Sequence, residues 1–304
     1  MRAGDAFHDF ETVVVDTGET SIFAKRAGDG PPVLLLHGFP QTHLMWRQVA
    51  PVLSRHFTVI CADLRGYGDS GCPPSAPDHA PYAKRAMARD MVALMASLGF
   101  RTFSVAGHDR GGRVAYRLAL DHPAVIERVA VLDVVPIVDA WERADARLAK
   151  AFWPWSLLSQ PAPLPERLLA GAPEAIIDDA LGGGWGSPPQ AFDAATREAY
   201  VRALRRPESA HAICEEYRAA TSIDPQHDDD DRAAGRRMAA PLLVLWSERG
   251  PLGTWYADDG GPLAIWRRWA DDVQGQALAG GHFFPEELPD TTARLLSGFF
   301  ARRA

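Results

Sequence analysis

A strand-like run, Phe103-Ser-Val-Ala, leads into Gly107-His108-Asp109-Arg110-Gly111-Gly112-Arg113 and then into helical sequence. Strand, tight turn and helix with Gly-x-Asp-x-Gly at the turn is the context of a nucleophile elbow, here with Asp109 where hydrolases commonly place serine. The glycines let strand and helix approach closely, so the central side chain projects outward. A plain βα turn with Asp109 near an N-cap is the competing reading, and two further segments weigh against it. Val33–Leu36 runs into His37-Gly38-Phe39-Pro40, the place where a backbone N–H completes an oxyanion site. Near the C-terminus, Ala279-Gly-Gly-His282-Phe-Phe-Pro285 sets a histidine on a glycine-rich loop, in the chain order nucleophile, acid, histidine. The acid has two candidates, Asp133 after Val129–Leu132 and Glu248 after Leu242–Trp246. Asp133, flanked by Leu132 and Val134, is the stronger: a carboxylate in apolar sequence wants an imidazole partner, whereas Glu248 can pair with Arg249 in solvent.

An aspartate nucleophile selects its substrates. The carboxylate is ionised at neutral pH and needs no base to activate it. Attack on an ester would give an anhydride, whereas attack on a saturated carbon bearing a leaving group gives an alkyl ester. A histidine–aspartate pair is then free to activate the water that hydrolyses that ester. Carbon–halogen bonds and epoxides fit this logic; esters and amides do not. Arg110 and Arg113 stand one turn apart at the start of the following helix. Cations there oppose the helix dipole, at about 0.3–1 kcal/mol each unless an anion offsets it. Two guanidinium forks beside the nucleophile suit a substrate carboxylate.

The elements that must position these residues alternate along the chain. Apolar runs at Thr12–Val15, Val33–Leu36, Thr58–Ala62, Phe103–Ala106, Val129–Leu132 and Leu242–Trp246 read as strands buried on both faces. Helical patterns lie at Met45–Leu53, Lys84–Leu98, Gly112–Leu120, Leu263–Trp269 and Thr291–Phe300, with Met87, Met91, Leu94 and Met95 as one core-facing stripe. This is the rhythm of an α/β protein with a mainly parallel sheet. It breaks between Pro136 and Ala239, where helical sequence rich in tryptophan and proline reads as a lid. The expected division is 1–136 with 240–304 as core and 137–239 as helical cap. Asp228–Asp231 reads as a solvated loop, Gly182–Gly184 as a loop rather than a phosphate cradle, and Cys61 as a buried strand residue.

The 304 residues are 47% hydrophobic and 23% charged, with a net charge of −7, which suits a globular protein and disfavours nucleic-acid or anionic-membrane partners. The three scattered cysteines form no disulfide framework. Met1–Glu11 lacks the apolar stretch of a signal peptide, and no run approaches a membrane span. A soluble, cytoplasmic enzyme without cofactor or metal is expected; a homodimer is kept as a candidate assembly.

His37-Gly-Phe-Pro-Gln41, Asp63-Leu-Arg-Gly-Tyr-Gly-Asp-Ser70, Gly107–Arg113, Leu132-Asp133, Gly281-His-Phe-Phe284 and the segments Gln160–Glu166 and Cys214–Arg218 together resemble the fluoroacetate (haloacetate) dehalogenases. The resemblance covers nearly the whole chain. It implies an α/β-hydrolase fold with an eight-stranded, mostly parallel sheet and a helical cap, hydrolysing short 2-haloacids to 2-hydroxy acids. It also implies Asp109 as nucleophile, His282 as base oriented by Asp133, Arg110 and Arg113 on the substrate carboxylate, and backbone N–H groups of Phe39 and Arg110 on the oxyanion. Trp155 and Tyr217 match two halide-pocket residues of the family, whereas Pro154 stands where the third, a histidine, is usual. Proline offers no side-chain donor, which bears most on fluoride, the poorest halide leaving group. Two alternatives stay open: an epoxide hydrolase with Tyr200 and Tyr217 as proton donors, which leaves the arginines unexplained, and a non-catalytic ligand receptor.

Overall fold

The computed structural model describes residues 7–302; residues 1–6, part of the segment read above for a leader, lie outside the described residues. Eight strands form one sheet: β1 (Glu11–Asp16), β2 (Ser21–Ala27), β3 (Pro32–Leu36), β4 (Thr58–Ala62), β5 (Phe103–His108), β6 (Ile126–Leu132), β7 (Leu242–Ser247) and β8 (Val273–Leu278), in spatial order β1-β2-β4-β3-β5-β6-β7-β8. β2 pairs antiparallel with β1 and β4, and every other pairing is parallel.

Alternate side chains of the central strands enter two separate cores. Leu34, Leu36, Val105, Val129, Val131 and Val244 join one, with Met87, Met91, Leu94 and Met95 of helix α1 (Lys84–Ser97) and Val114 and Leu118 of helix α2 (Arg110–Asp121). Val33, Leu35, Cys61, Ala106, Ala130, Leu132 and Leu245 join the other, on the opposite face, with Trp46, Leu53 and Phe299. Burial on both faces is why these strands are apolar throughout rather than alternating. Met45–Leu53, expected as one helix, is instead a 3₁₀ turn at His43–Trp46 and a short helix at Ala50–Leu53, with Pro51 opening the second piece.

Between β6 and β7 the described chain is helical. Three of its helices matter below: α3 (Trp153–Leu158), α4 (Pro207–Thr221) and α5 (Ile223–Ala233). The first helix of this stretch starts at Ile137 and β7 at Leu242. The stretch lies on the first core, to which it adds Trp155, Leu158, Cys214 and Tyr217.

The aspartate run needs correcting. Asp228–Asp231 is helical, within α5, and Asp224, Asp228 and Asp231 fall on one buried face at four- and three-residue steps. The cause lies on α2: Tyr116 donates to Asp228 at 2.9 and 3.1 Å, and the Arg117 guanidinium bonds Asp231. A buried carboxylate needs such partners, and they lie more than a hundred residues away in sequence. Gly182–Gly184 also departs from a plain loop, lying in a short wide helical turn, Ala180–Gly184, with Gly183 at φ 111°. Among the described residues no helix is long and apolar enough to cross a membrane.

Candidate active site

Asp109 sits between the end of β5 and the start of α2 at φ 45°, ψ −114°, a conformation rare for a residue with a side chain. The strain is held from several sides. The Asp109 N–H donates to Leu132 O at 3.1 Å, and Arg113 N–H donates to Asp109 O at 3.1 Å. Gly111 packs directly on β3: a Cβ there would stand 2.5 Å from His37 O and 2.6 Å from Leu36 O. Gly38 passes Asp109 as closely, since a Cβ there would meet Asp109 Cβ at 2.5 Å. The next N–H, that of Phe39, donates to Asp109 Oδ1 at 3.1 Å. Arg110 N–H opens α2 and belongs to the helix N-terminal amides that have no intrahelical acceptor. The His37 side chain serves the turn itself: its Nε2 accepts from Leu64 N–H at 3.1 Å, which leaves Nδ1–H to donate to Gly38 O at 3.0 Å.

His282 and Asp133 come together. His282 Nδ1 lies 2.6 Å from Asp133 Oδ2, and Ser247 N–H donates to Asp133 Oδ1 at 2.8 Å. With Nδ1 committed as donor, the neutral ring keeps Nε2 as its lone-pair nitrogen. Glu248, the other candidate acid, is exposed and has no bond to His282. Two contacts that the sequence did not reveal fix the histidine loop: His108 Nε2–H donates to His282 O at 2.8 Å, and His282 N–H donates to Trp185 O at 2.8 Å. Burial pushes the His108 imidazole down to about 3, so it is a neutral strut.

The charges of the site are mutually arranged. Burial acts to raise the Asp109 pKa, but His282, Arg110 and Arg113 outweigh it and hold the carboxyl below the usual range. Burial acts to lower the His282 pKa, but the hydrogen bond and charge of Asp133, and then the charge of Asp109, raise it.

Arg110 and Arg113 are both buried beside Asp109, with Arg113 Nη1 at 3.9 Å from Asp109 Oδ2. Their donors are unequally used. Arg110 gives Nε (2.8 and 2.9 Å) and Nη2 to Glu216 of α4, which also receives Lys84 Nζ. Glu216 is thus an anion that offsets the cation at the helix start. Arg110 Nη1 and Arg113 Nε and Nη1 are buried with no hydrogen-bond partner. Buried guanidinium N–H groups rarely stay unpaired, and these three make a ready donor set for an anion. Trp155 lies over Arg113, at 4.5 Å from guanidinium carbon to ring centre, and Tyr217 over Arg110 at 4.2 Å.

A cavity of about 100 Å³ opens onto Asp109 and His282, walled by Phe152, Pro154, Trp155, Trp185 and Tyr217. It is small beside the roughly 300–1,000 Å³ of pockets for drug-sized ligands. Trp155 and Tyr217 line the cavity, and so does Pro154. The Trp153 indole does not fill the donor place left by Pro154, because it is bound at 2.9 Å to Asp179 in an exposed position. The tyrosine pair that the epoxide-hydrolase alternative would use is not assembled: Tyr217 lines the cavity, but the Tyr200 hydroxyl lies 3.3 Å from Glu286 Oε2, in a separate buried cluster with Gln41 and Arg47. Trp185 is the wall residue that sequence reasoning passed over. Its setting between Gly182–Gly184 and Gly186 was the available signal, since glycines on both sides let a bulky ring approach a crowded loop.

The sheet order, the strained strand–helix turn with its acidic residue, and the histidine loop after the last strand define an α/β hydrolase. Residues 31–170 match the family model described as alpha/beta hydrolase fold. The chain superposes on an α/β hydrolase from Nostoc sp PCC 7120 with a TM-score of 0.93 and 45% identity, covering 98% of this chain and 100% of that one. It is 41% identical over 295 residues to a fluoroacetate dehalogenase of Burkholderia sp, covering 97% of this chain and 95% of that protein. A soluble epoxide hydrolase of Corynebacterium sp. (strain C12) is 32% identical over 288 residues, 90% of this chain and 92% of that protein. The chain belongs to the fluoroacetate (haloacetate) dehalogenase family of the α/β-hydrolase superfamily.

Proposed function

We propose that this protein hydrolyses short 2-haloacids to 2-hydroxy acids and halide through an ester on Asp109, with the helical segment between β6 and β7 as the cap over the site. The observation that carries the reading is the set of unpaired, buried guanidinium N–H groups of Arg110 and Arg113 next to a nucleophilic carboxylate. A substrate carboxylate takes those donors, which sets its α-carbon against Asp109. One Asp109 oxygen displaces the halogen, which leaves with its bonding electrons toward the Trp155 indole and the Tyr217 hydroxyl. His282 Nε2 then takes a proton from water, and the oxygen of that water adds to the Asp109 carbonyl carbon. The N–H groups of Phe39 and Arg110 hold the resulting oxyanion. Collapse breaks the bond from the Asp109 carbonyl carbon to the ester oxygen, and His282 returns its proton to the departing hydroxy acid.

An epoxide hydrolase would need a donor pair for the opening alkoxide. Tyr200 is turned into the Glu286 cluster, so the site offers Tyr217 alone, and an epoxide leaves the arginine donors unused. A ligand receptor would bind the same anions without consuming them.

The test is a single turnover of chloroacetate in oxygen-18 water. The glycolate hydroxyl should carry unlabelled oxygen from Asp109, and the label should enter the Asp109 peptide. A fully labelled glycolate hydroxyl overturns the covalent route; absence of halide release from chloro- and bromoacetate, with the acids still bound, overturns the enzyme in favour of the receptor.

A further inference from the structure

Glu216 is wholly buried at the seam between α4 and the core, next to Tyr217, and none of the chemistry above uses it. It spends both carboxylate oxygens on one edge of the Arg110 guanidinium, and that edge-on grip fixes the plane of the group. Lys84 bonds Glu216 Oε1 from behind, and Tyr67 donates to Oε2 at 3.3 Å, so the carboxylate itself cannot swing. Only Nη1 of Arg110 is left uncommitted. The other carboxylate in reach of Arg110's charge is Asp109, whose pKa Arg110 helps to hold down. A buried guanidinium released from Glu216 has a strong reason to turn to Asp109, since an unpaired buried charge is costly. Hydrogen bonds from Arg110 would then occupy the lone pairs with which Asp109 attacks carbon.

We propose that Glu216 is a positioning residue that holds Arg110 off the nucleophile and aims its free N–H at the substrate carboxylate. This rests on the haloacid reading of the site. Glu216 acts on ester formation, where Asp109 must be free and the substrate anchored. It does not act on ester hydrolysis, where His282 and water do the work and Asp109 carries no charge.

Glu216→Gln is the test, with bromoacetate as probe and quenched samples read by mass spectrometry of the Asp109 peptide. The time course gives two rates, appearance and decay of the adduct. The expected result is about tenfold or slower appearance with decay unchanged within about twofold. A residue needed only for folding would slow both together, and that outcome overturns the proposal, as does an unchanged rate of appearance. Should the Gln variant fail to fold, Glu216→Asp serves. It keeps the charge but is one methylene shorter and cannot reach Arg110 in the same grip, and it should show the same one-sided slowing to a smaller degree. If the unmodified enzyme forms no Asp109 adduct at all, the haloacid reading itself fails, which is a distinct result.

Discussion

Asp109 and His282 each hold the other in its charged form: the histidine helps to lower the Asp109 pKa, and the aspartate helps to raise that of His282. The two steps of the proposed mechanism should therefore respond differently to pH. Ester formation needs only ionised Asp109, whose pKa lies below the usual carboxylate range, so its rate should be nearly flat from about pH 5 to about pH 8. Ester hydrolysis needs neutral His282, whose pKa is raised, so its rate should climb with pH through the neutral region. Esterification removes the Asp109 charge and with it one cause of the raised pKa, so the limb seen in adduct decay should lie below the pKa of free His282. Rapid-quench measurement of both rates across pH checks this; a steep limb in ester formation would contradict it. His282→Ala should leave displacement intact and accumulate a stable bromoacetate adduct on Asp109, visible by intact mass. Pro154 bears on the leaving group. With no donor there and the Trp153 indole bound to Asp179, fluoride in the proposed reaction would leave with one hydrogen bond fewer. A bond to a charged group is worth about 1.5–3 kcal/mol, or about one to two decades in rate. Chloroacetate should thus turn over faster than fluoroacetate, and Pro154→His should raise the fluoroacetate-to-chloroacetate rate ratio. A native preference for fluoroacetate would show that another group supplies the donor.

At the level of elements, the site depends on how closely α2 lies on β3. Gly111→Ala would drive a Cβ against the backbone oxygens of Leu36 and His37, which cannot yield as a side chain can. The helix must lift, Asp109 moves away from Phe39 N–H, and stability should fall by on the order of 1–3 kcal/mol with activity largely lost. Gly171→Ala is the control: nothing lies within 4 Å of its Cβ, and urea midpoints should separate the two variants clearly. The same closeness explains what could be read in advance. Strands β3 to β7 each hold an apolar run because both faces are covered there, whereas Thr12–Val15 of β1, read as buried on both faces too, is largely exposed at the sheet edge. β2 and β8 escaped notice because they are half covered: Lys25 and Arg26 in one, Gln274 and Gln276 in the other, break any continuous run. That Asp109, Asp133 and His282 lie together was legible because each sits in a short local pattern at a strand end. Glu216 and Lys84 were not, because their meaning lies in each other and in Arg110, and no local spacing records a contact between residues 84, 110 and 216. Tyr200 erred for the same reason: a tyrosine in the right helical stretch says nothing of the direction in which its hydroxyl points.

Over the whole molecule, the helical segment is joined to the core by buried polar contacts as well as by apolar packing. Lys84 meets Glu216 and Asp224, Arg117 meets Asp231, and Tyr116 meets Asp228. Breaking one partner of such a buried pair typically costs about 3–5 kcal/mol, so the helical segment should unfold together with the core rather than before it. One member of the seam should make this joint sensitive to pH. Burial pushes the Asp228 carboxyl up to about 7, against the opposing charge of Arg117 and the hydrogen bonds from Tyr116 and Val138 N–H, with nearby Asp224 raising it further. In the unfolded chain the same group titrates near 4. Between those values the folded state holds a proton that the unfolded state has lost. The stability tied to protonated Asp228 is therefore complete below about pH 4 and disappears as pH rises through about 7. Asn at this position has the shape of the protonated acid and does not titrate, so Asp228→Asn should remove that part of the slope. Its stability relative to the parent, from urea unfolding, should improve by at least about 1 kcal/mol between about pH 5 and about pH 8, where each pH unit can contribute up to about 1.4 kcal/mol. All other titrating groups are common to both proteins and cancel in the difference. A difference that stays flat with pH would mean that Asp228 remains ionised at the seam, held by Arg117 strongly enough to overcome its burial.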